Sequence, residues 1–529
     1  MSLKNHIVRV LGFLNEGAEY AVLRNYEGLP ERNESRDIDI IITRKCFREI
    51  KGKLVEVLCQ EGWRIVTYLN SDRLITFVCA KNGEMGTEIV QWDFFVNTSV
   101  WGVELMSAEE FVEHRVWNGV LWHVDVVGEF LDKYLYNRAV GEAYPAKYEA
   151  IRRRIFGPLT EDGLQSTDLT PPLYRHLPYK QGRNHESAQD LKILPLFIGG
   201  VPEGGGGLLS VSSVESVGDN HSEGVTSVSS VREKESSVRD KDNSVRNDYY
   251  VRVSKKLEEV FGCGDLEMCD GLSGKRLLWN AVKWNVKRRP MGLIAGVCAF
   301  VWSFVRNYLC SNTGFAIGFT GPDGVGKTTV IELLIERLGG VFRSAHSYMH
   351  FRPMLFGNLG EVAHSAGLKR EVDRNYNDPH RGKKVGVVSS LVRLAYYSVD
   401  YVVGYWLKVK SQIRITRLVI FDRYYTDVIC DSRRSRIFLN YKFLYWFGRV
   451  LVPQLDYNVL LTARTETILA RKQELTREGV DAINERIEYL AEKRGYRRFV
   501  NEGTPEEMVR EILEWVFEEQ HKRNMKRIV

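Results

Sequence analysis

Apolar positions in the first part of the chain fall in short alternating runs. Tyr20–Arg24, Ile38–Ile42, Arg64–Leu69, Leu74–Cys79 and Glu88–Phe95 are rich in β-branched and aromatic residues, which predicts strands. Helical spacing replaces alternation over about 46–61 and 107–140, so residues 1–198 are expected to form a small α+β sheet domain with a helical tail. Both periods stop near Gly199. Gly204–Gly207 is followed by Ser-Val pairs at 210, 213, 216, 227, 230, 237 and 244 among charged residues, and no apolar face can be built from them. Such a stretch cannot offset chain entropy by burial, so 199–248 reads as a disordered linker, where protease is expected to cut and release two folded fragments. Beyond it a helical connector over 249–310 leads into the apolar strand Phe315–Thr320, and helices and strands then alternate through 311–529. Thr504, Pro505 and Glu507 set the N-cap, first-position proline and third-position acid of a last helix through Phe517.

At 529 residues the chain exceeds what one core supports, and a hydrophobic fraction of 44% suits a soluble globular protein. The charge of +6 is too small an excess to imply nucleic acid. Eight cysteines show no C-x-x-C pair and no secretory leader is read, so reduced thiols in a cytoplasmic protein are expected. Met291–Val305 is apolar throughout, preceded by Lys287-Arg288-Arg289 and closed by Arg306. Its 15 residues fall short of the ~20 that a spanning helix needs, and a helix buried between domains is the expectation. Peripheral contact of 287–306 with an anionic membrane stays open, given the basic flank and Trp279, Trp284 and Trp302.

The sharpest local signal is Gly321-Pro-Asp323-Gly324-Val-Gly326-Lys327-Thr328-Thr329, which meets every fixed position of G-x-x-x-x-G-K-[ST]. A strand precedes it, and Val330, Ile331, Leu334, Ile335 and Leu338 follow at helical spacing, as the pattern requires. Its glycines let backbone N–H groups close round the phosphates of ATP, Lys327 supplies a cation, and Thr328 offers a hydroxyl to Mg²⁺. A second apolar strand, Leu418–Phe421, ends in Asp422-Arg423-Tyr424, which sets a carboxylate at a strand end where Mg²⁺ could be held and a guanidinium beside it for an acceptor phosphate. Arg464, Arg471, Lys472 and Arg477 cluster after Asn458–Leu461, either as cations for the transferred group or as a solvated helix face.

Over roughly 275–520 these residues resemble the thymidylate kinases and, more closely, thymidylate-kinase-like proteins found beside bacterial surface-polysaccharide functions. The marks are Gly321–Thr329, His350-Phe-Arg352-Pro353, Asp378-Pro379-His380, Asp422-Arg-Tyr with Asp431-Ser-Arg433-Arg434, and Ala470-Arg471-Lys472-Gln-Glu474. The resemblance implies a P-loop NTPase-type parallel sheet flanked by helices, with Asp422 and Arg423 serving Mg²⁺ and the acceptor, Arg352 also at the acceptor, and Arg471, Lys472 and Arg477 forming a basic lid. Phe351-Arg352-Pro353-Met354 replaces the family's Arg-Glu-Pro-Gly-Gly loop, so a nucleoside monophosphate is only the default acceptor. A sugar or lipid-linked glycan, or an ATP-binding scaffold without turnover, are the alternatives, and a homodimer stays open.

In the first domain, Asp37 and Asp39 lie two apart on one strand and so share a face, and Asp93 on a neighbouring strand is placed to join them. Three converging carboxylates suit a divalent cation. This resembles the nucleotidyltransferase fold, in members whose first motif reads Leu23-Arg-Asn-Tyr26 where others carry Gly-Ser. Metal or nucleotide binding is expected there ahead of nucleotidyl transfer.

Overall fold

The computed structural model describes residues 3–156 apart from 34, 36, 84 and 85, together with 228–309, 314–338, 346–356, 385–414, 417–472 and 475–528. Alternation in the first hundred residues builds a mixed sheet. Helix α1 (Leu3–Gly17) buries Ile7, Val10, Leu11 and Leu14 along one face, and α2 (Arg44–Leu58) starts at the N-cap Thr43, whose side chain accepts from the Cys46 N–H. Strands β1 (Tyr20–Val22), β2 (Asp37–Ile42), β3 (Arg64–Asn70), β4 (Leu74–Gly83) and β5 (Gly86–Phe95) lie in the order β3-β4-β5-β2-β1, with β2 and β5 parallel. β6 (Asn97–Val100) and β7 (Val103–Ser107) form a separate hairpin.

The single helix expected over 107–140 is not continuous. It divides into α3 (Ala108–Glu113), a hairpin of β8 (Val116–Trp117) and β9 (Trp122–His123) that extends the sheet beyond β1, and α4 (Val126–Val140). The cause is Asn118-Gly119. The Asn118 side chain accepts from the N–H groups of Val120 and Leu121, and Gly119 takes φ +97°, a turn that no helix accommodates.

Ala146–Val251 forms a compact unit of its own. It holds α5 (Glu149–Phe156) and the start of α6 (Val228–Phe261). Of the expected linker, 199–227 lies outside the described residues, and 228–248 belongs to α6.

In the other unit, α7 (Leu266–Asp270), α8 (Gly274–Arg288) and α9 (Pro290–Leu309) follow. Arg138 of α4 ties this connector down by donating to the carbonyls of Cys269, Asp270 and Leu272 at 3.0, 3.1 and 2.9 Å. Burial of the apolar segment does not occur: Met291, Ile294 and Trp302 on α9 are 74%, 56% and 68% exposed. The helix runs 20 residues, past the apolar run at both ends, so the length argument against a bilayer also falls.

The second half is an α/β sheet. β10 (Phe315–Thr320), β11 (Ser347–His350), β12 (Leu418–Asp422), β13 (Tyr457–Thr462) and β14 (Tyr496–Val500) are all parallel, in the order β11-β12-β10-β13-β14, and α10 (Lys327–Leu338) leaves the end of β10. Every residue of β10 and β13 is buried, as sheets covered on both faces require. Parallel strands bring Thr320, His350, Asp422 and Thr462 to one edge, where ligands bind in such folds.

The two sheets share their core. The last helix, Pro505–Ile528, lies against α10, β3 and β4; Val66, Val78 and Ala80 of the mixed sheet join the apolar cluster of the parallel one, and Ile528 joins that of the mixed sheet. Two separately folded fragments were expected either side of the linker, and this common core is the physical reason to expect them to stay together.

Candidate active site

The loop after β10 is shaped by its glycines. Gly324 and Gly326 take φ +89° and +93°, where an L side chain is strained. Neighbours leave no room either. A Cβ on Gly326 would lie 2.7 Å from the Asn501 amide, one on Gly324 3.0 Å from the Ile468 carbonyl and the Lys472 Cβ, and one on Gly321 would overlap the Leu461 carbonyl. The loop is thus pressed between β13, the segment ending at Lys472, and Asn501 just past β14, whose Nδ2 donates to the Val325 carbonyl at 2.7 Å. Lys327 folds back under it and donates to the carbonyls of Gly321 and Pro322 at 2.8 and 2.9 Å. Burial lowers its ammonium to about 7, helped by Arg423 and opposed by Asp323. Thr328 and Thr329 face outward at the start of α10.

At the end of β12, Asp422 accepts from the Tyr348 hydroxyl at 2.9 Å and lies 3.3 Å from His350 Nδ1. Burial alone would raise its carboxyl, but His350, Arg423, Tyr348 and Lys327 together hold it below the usual range. It is therefore an anion at neutral pH. Its Oδ1 is buried and has no hydrogen-bond partner among the described residues. A buried carboxylate oxygen without a donor fits a hard cation, and with the exposed Thr328 hydroxyl the donor set suits Mg²⁺.

Arg423 is placed differently from the open acceptor cation that the resemblance implies. It sits at φ +72° and is 4% exposed at its side chain, with one arm on Asp323 of the loop and the other on Asp427 Oδ1 at 2.7 Å. Burial would lower its pKa, but Asp427, Asp323 and Asp422 outweigh that and raise it. Arg434 takes the second oxygen of Asp323. Asp323 is thereby a junction between the loop and the segment after β12. Sequence reasoning missed Asp427, which stands four residues past Arg423 in the first turn of the helix that follows β12, and Asn501, for which no local signal exists. Tyr348 was within reach, because it alternates with His350 on β11.

Arg352 is buried too. It pairs with Asp400 at 2.9 Å and lies over the Tyr397 ring at 4.6 Å, while the other Asp400 oxygen accepts from the N–H groups of Leu355 and Phe356. It organises its loop and presents no free charge. Arg471 donates to the Asn501 carbonyl at 3.2 Å, close to the glycine loop, whereas Arg477 pairs with Glu466 on the exposed surface. The expected lid residues are therefore not all gathered at one point. Asp378-Pro379-His380 and Glu474 lie outside the described residues. A cleft of about 510 Å³ lies off this centre, lined by Asn82, Arg497, Arg510 and Trp515 with Glu507, Glu511, Glu514 and Glu518, and acids that outnumber bases four to two make poor surroundings for phosphate.

In the mixed sheet Asp37, Asp39 and Asp93 do converge, with one oxygen from each within 4.8 Å of the others, because β2 and β5 are parallel and Asp39 registers with Asp93. Arg24 of Leu23–Tyr26 is their counter-ion, 2.8 Å from Asp39, and Asp93 accepts from Thr76 and Gln91 at 2.5 and 2.8 Å. Burial, with Asp37 and Asp93 adding to it and Arg24 opposing, pushes the Asp39 carboxyl up to about 7.

No protein-family model matches this sequence, and no curated protein matches it. Among solved structures, that of thymidylate kinase from Ehrlichia chaffeensis is similar over 38% of this chain and 98% of that chain, at 14% identity and a TM-score of 0.27. A likeness at that level carries no argument about activity. The chain is an α/β protein with a five-stranded parallel sheet beside a mixed one, as the strand order itself establishes.

Proposed function

We propose that the parallel-sheet half is a Mg²⁺-dependent kinase that binds ATP on Gly321–Thr329 and passes its γ-phosphoryl group to a small-molecule acceptor, a nucleoside monophosphate by default. The observation that carries this reading is Asp422. An anionic, partly buried carboxylate with an undonated oxygen lies beside a glycine loop whose lysine is already held inward. Mg²⁺, when bound, would neutralise charge across the β- and γ-phosphate oxygens, with Asp422 Oδ1 and Thr328 as the residues to hold it. Lys327 sits on two peptide carbonyls, which a phosphate oxygen outcompetes as acceptor because charge-assisted hydrogen bonds are stronger. In transfer the acceptor oxygen bonds to the γ-phosphorus as the bond to the bridging oxygen breaks, and ADP leaves.

One observation favours a second reading. Arg352 and Arg423 are both neutralised by carboxylates, so neither offers an unpaired cation to an acceptor phosphate, and a sugar or lipid-linked glycan hydroxyl would need none. The test is ADP release by the purified chain with labelled ATP, across a panel of nucleoside monophosphates and sugars, with Lys327→Ala as control. Stimulation by a nucleoside monophosphate, abolished in the variant, supports the first reading, and stimulation by sugars alone supports the second. Tight ATP binding with no acceptor-dependent ADP would remove both and leave nucleotide-gated regulation.

A further inference from the structure

Helix α9 is docked by one side and leaves a second, broader apolar stripe uncovered. Toward the body it turns the half-buried Leu293 and Phe300 together with small and polar residues: Gly296 lies too close to the Gly102 backbone for any side chain, Ser303 is buried, and Arg306 and Asn307 donate to the Asn70 carbonyl, the latter at 3.4 Å. Away from the body it turns Met291, Ile294, Val301, Trp302 and Val305, which share one helical stripe. A docked helix normally gains its stability by burying the apolar stripe, so this one calls for an apolar medium outside.

Charge identifies the medium. From Gly271 to Pro322 there is no Asp or Glu, against seven Lys and Arg residues. Lys275, Arg276, Lys283, Lys287 and Arg288 all face solvent on α8, which leads into α9. A second copy of the chain on this face would oppose two such basic stretches, whereas an anionic lipid surface supplies opposite charge and hydrocarbon together. Trp279 and Trp302, 59% and 68% exposed, are of the residue type that settles at that boundary. The contacts at Gly296 and Asn307 hold the helix to the body along its length, which fits lying in the plane of the bilayer and not across it.

We infer that α9, with the basic face of α8, is a monotopic docking surface for an anionic lipid bilayer, independently of what the glycine loop catalyses. The test is co-sedimentation of the full chain with vesicles of phosphatidylcholine alone or with about one-third phosphatidylserine, with ATP affinity measured in parallel to show that the fold is kept. Binding is expected only to the anionic vesicles. It should fall by about tenfold or more in Ile294→Glu/Trp302→Glu, and by a similar factor with a flatter salt dependence in Lys283→Glu/Lys287→Glu. Alkaline carbonate should release the protein. Absence of sedimentation with anionic vesicles, equal binding by the variants, or retention in carbonate would overturn the inference, as would self-association that disappears in Ile294→Glu/Trp302→Glu without any vesicle binding.

Discussion

Replacing Gly326 by Ala tests whether the glycine loop is held in one shape by its neighbours. The new Cβ lies in the left-handed region at φ +93°, which costs an L residue roughly 1–2 kcal/mol. It also lies 2.7 Å from Asn501 Nδ2, so that side chain must swing away and give up its 2.7 Å bond to the Val325 carbonyl. Leaving that buried acceptor unpaired adds about 1–3 kcal/mol. The sum, ~2–5 kcal/mol, corresponds to a loss of roughly 30-fold to several thousand-fold if it falls on the nucleotide-competent loop. Calorimetric titration with ATP reads it, and urea unfolding shows how much falls on the fold instead. The double variant Gly326→Ala/Asn501→Ala should lose less than the sum of the single variants, because removing the amide removes the collision. ATP affinity within about threefold of the parent, at unchanged stability, would refute the reasoning, since 1.4 kcal/mol is already tenfold.

Three other outcomes are expected. Asp422→Asn should unfold at a similar urea concentration yet transfer phosphoryl at least about 100-fold more slowly at limiting Mg²⁺, and a parent-like rate would make Asp422 structural. A protease site replacing Gly204–Gly207 should yield fragments that co-elute on gel filtration after cutting, because Asn524, Ile528 and the Arg64–Glu514 pair bridge the sheets; fragments that separate would contradict the shared core. His6, stacked on Trp63 and accepting from Trp92 Nε1 at 3.3 Å, is lowered to about 3 by burial and, less, by Arg9. The unfolded chain therefore binds the extra proton between pH 6.5 and 3, and stability falls as pH drops through that window, by about 3 kcal/mol at pH 4.5 from this group. Urea midpoints at pH 7.5 and 4.5 should converge in His6→Gln, and an unchanged difference would count against it.

The sheets, the glycine loop and the carboxylate at the end of β12 were legible because each is local: a period of two, a fixed spacing, an acid closing an apolar run. Convergence of Asp37, Asp39 and Asp93 was legible as well, since strand alternation sets a face and only the partner strand was unknown. What escaped depends on pairing across the fold. Nothing in Asp422-Arg423 announces that Arg423 will turn inward at positive φ to meet Asp323 and Asp427. The run 291–305 reads as apolar throughout and so names no docking side, which is set in the fold by the close approach of Gly296 and the burial of Ser303. The hairpin at Asn118-Gly119 and Tyr348, two residues before His350, were local signals passed over.

The outer edge of β3 carries a consequence for how the chain is made. At Ile65 the free N–H donates to His521 Nδ1 at 3.2 Å and the carbonyl accepts from Asn524 Nδ2 at 3.1 Å, across separations of 456 and 459 residues. At a synthesis rate of roughly 5–20 residues per second, that edge leaves the ribosome about 25–90 s before the helix that covers it exists. During this interval the mixed sheet presents an open strand edge, the kind of surface on which nascent chains join one another. Yield in cells should therefore respond to translation rate and to chaperones that shield strand edges, well before any difference appears in the stability of the finished protein.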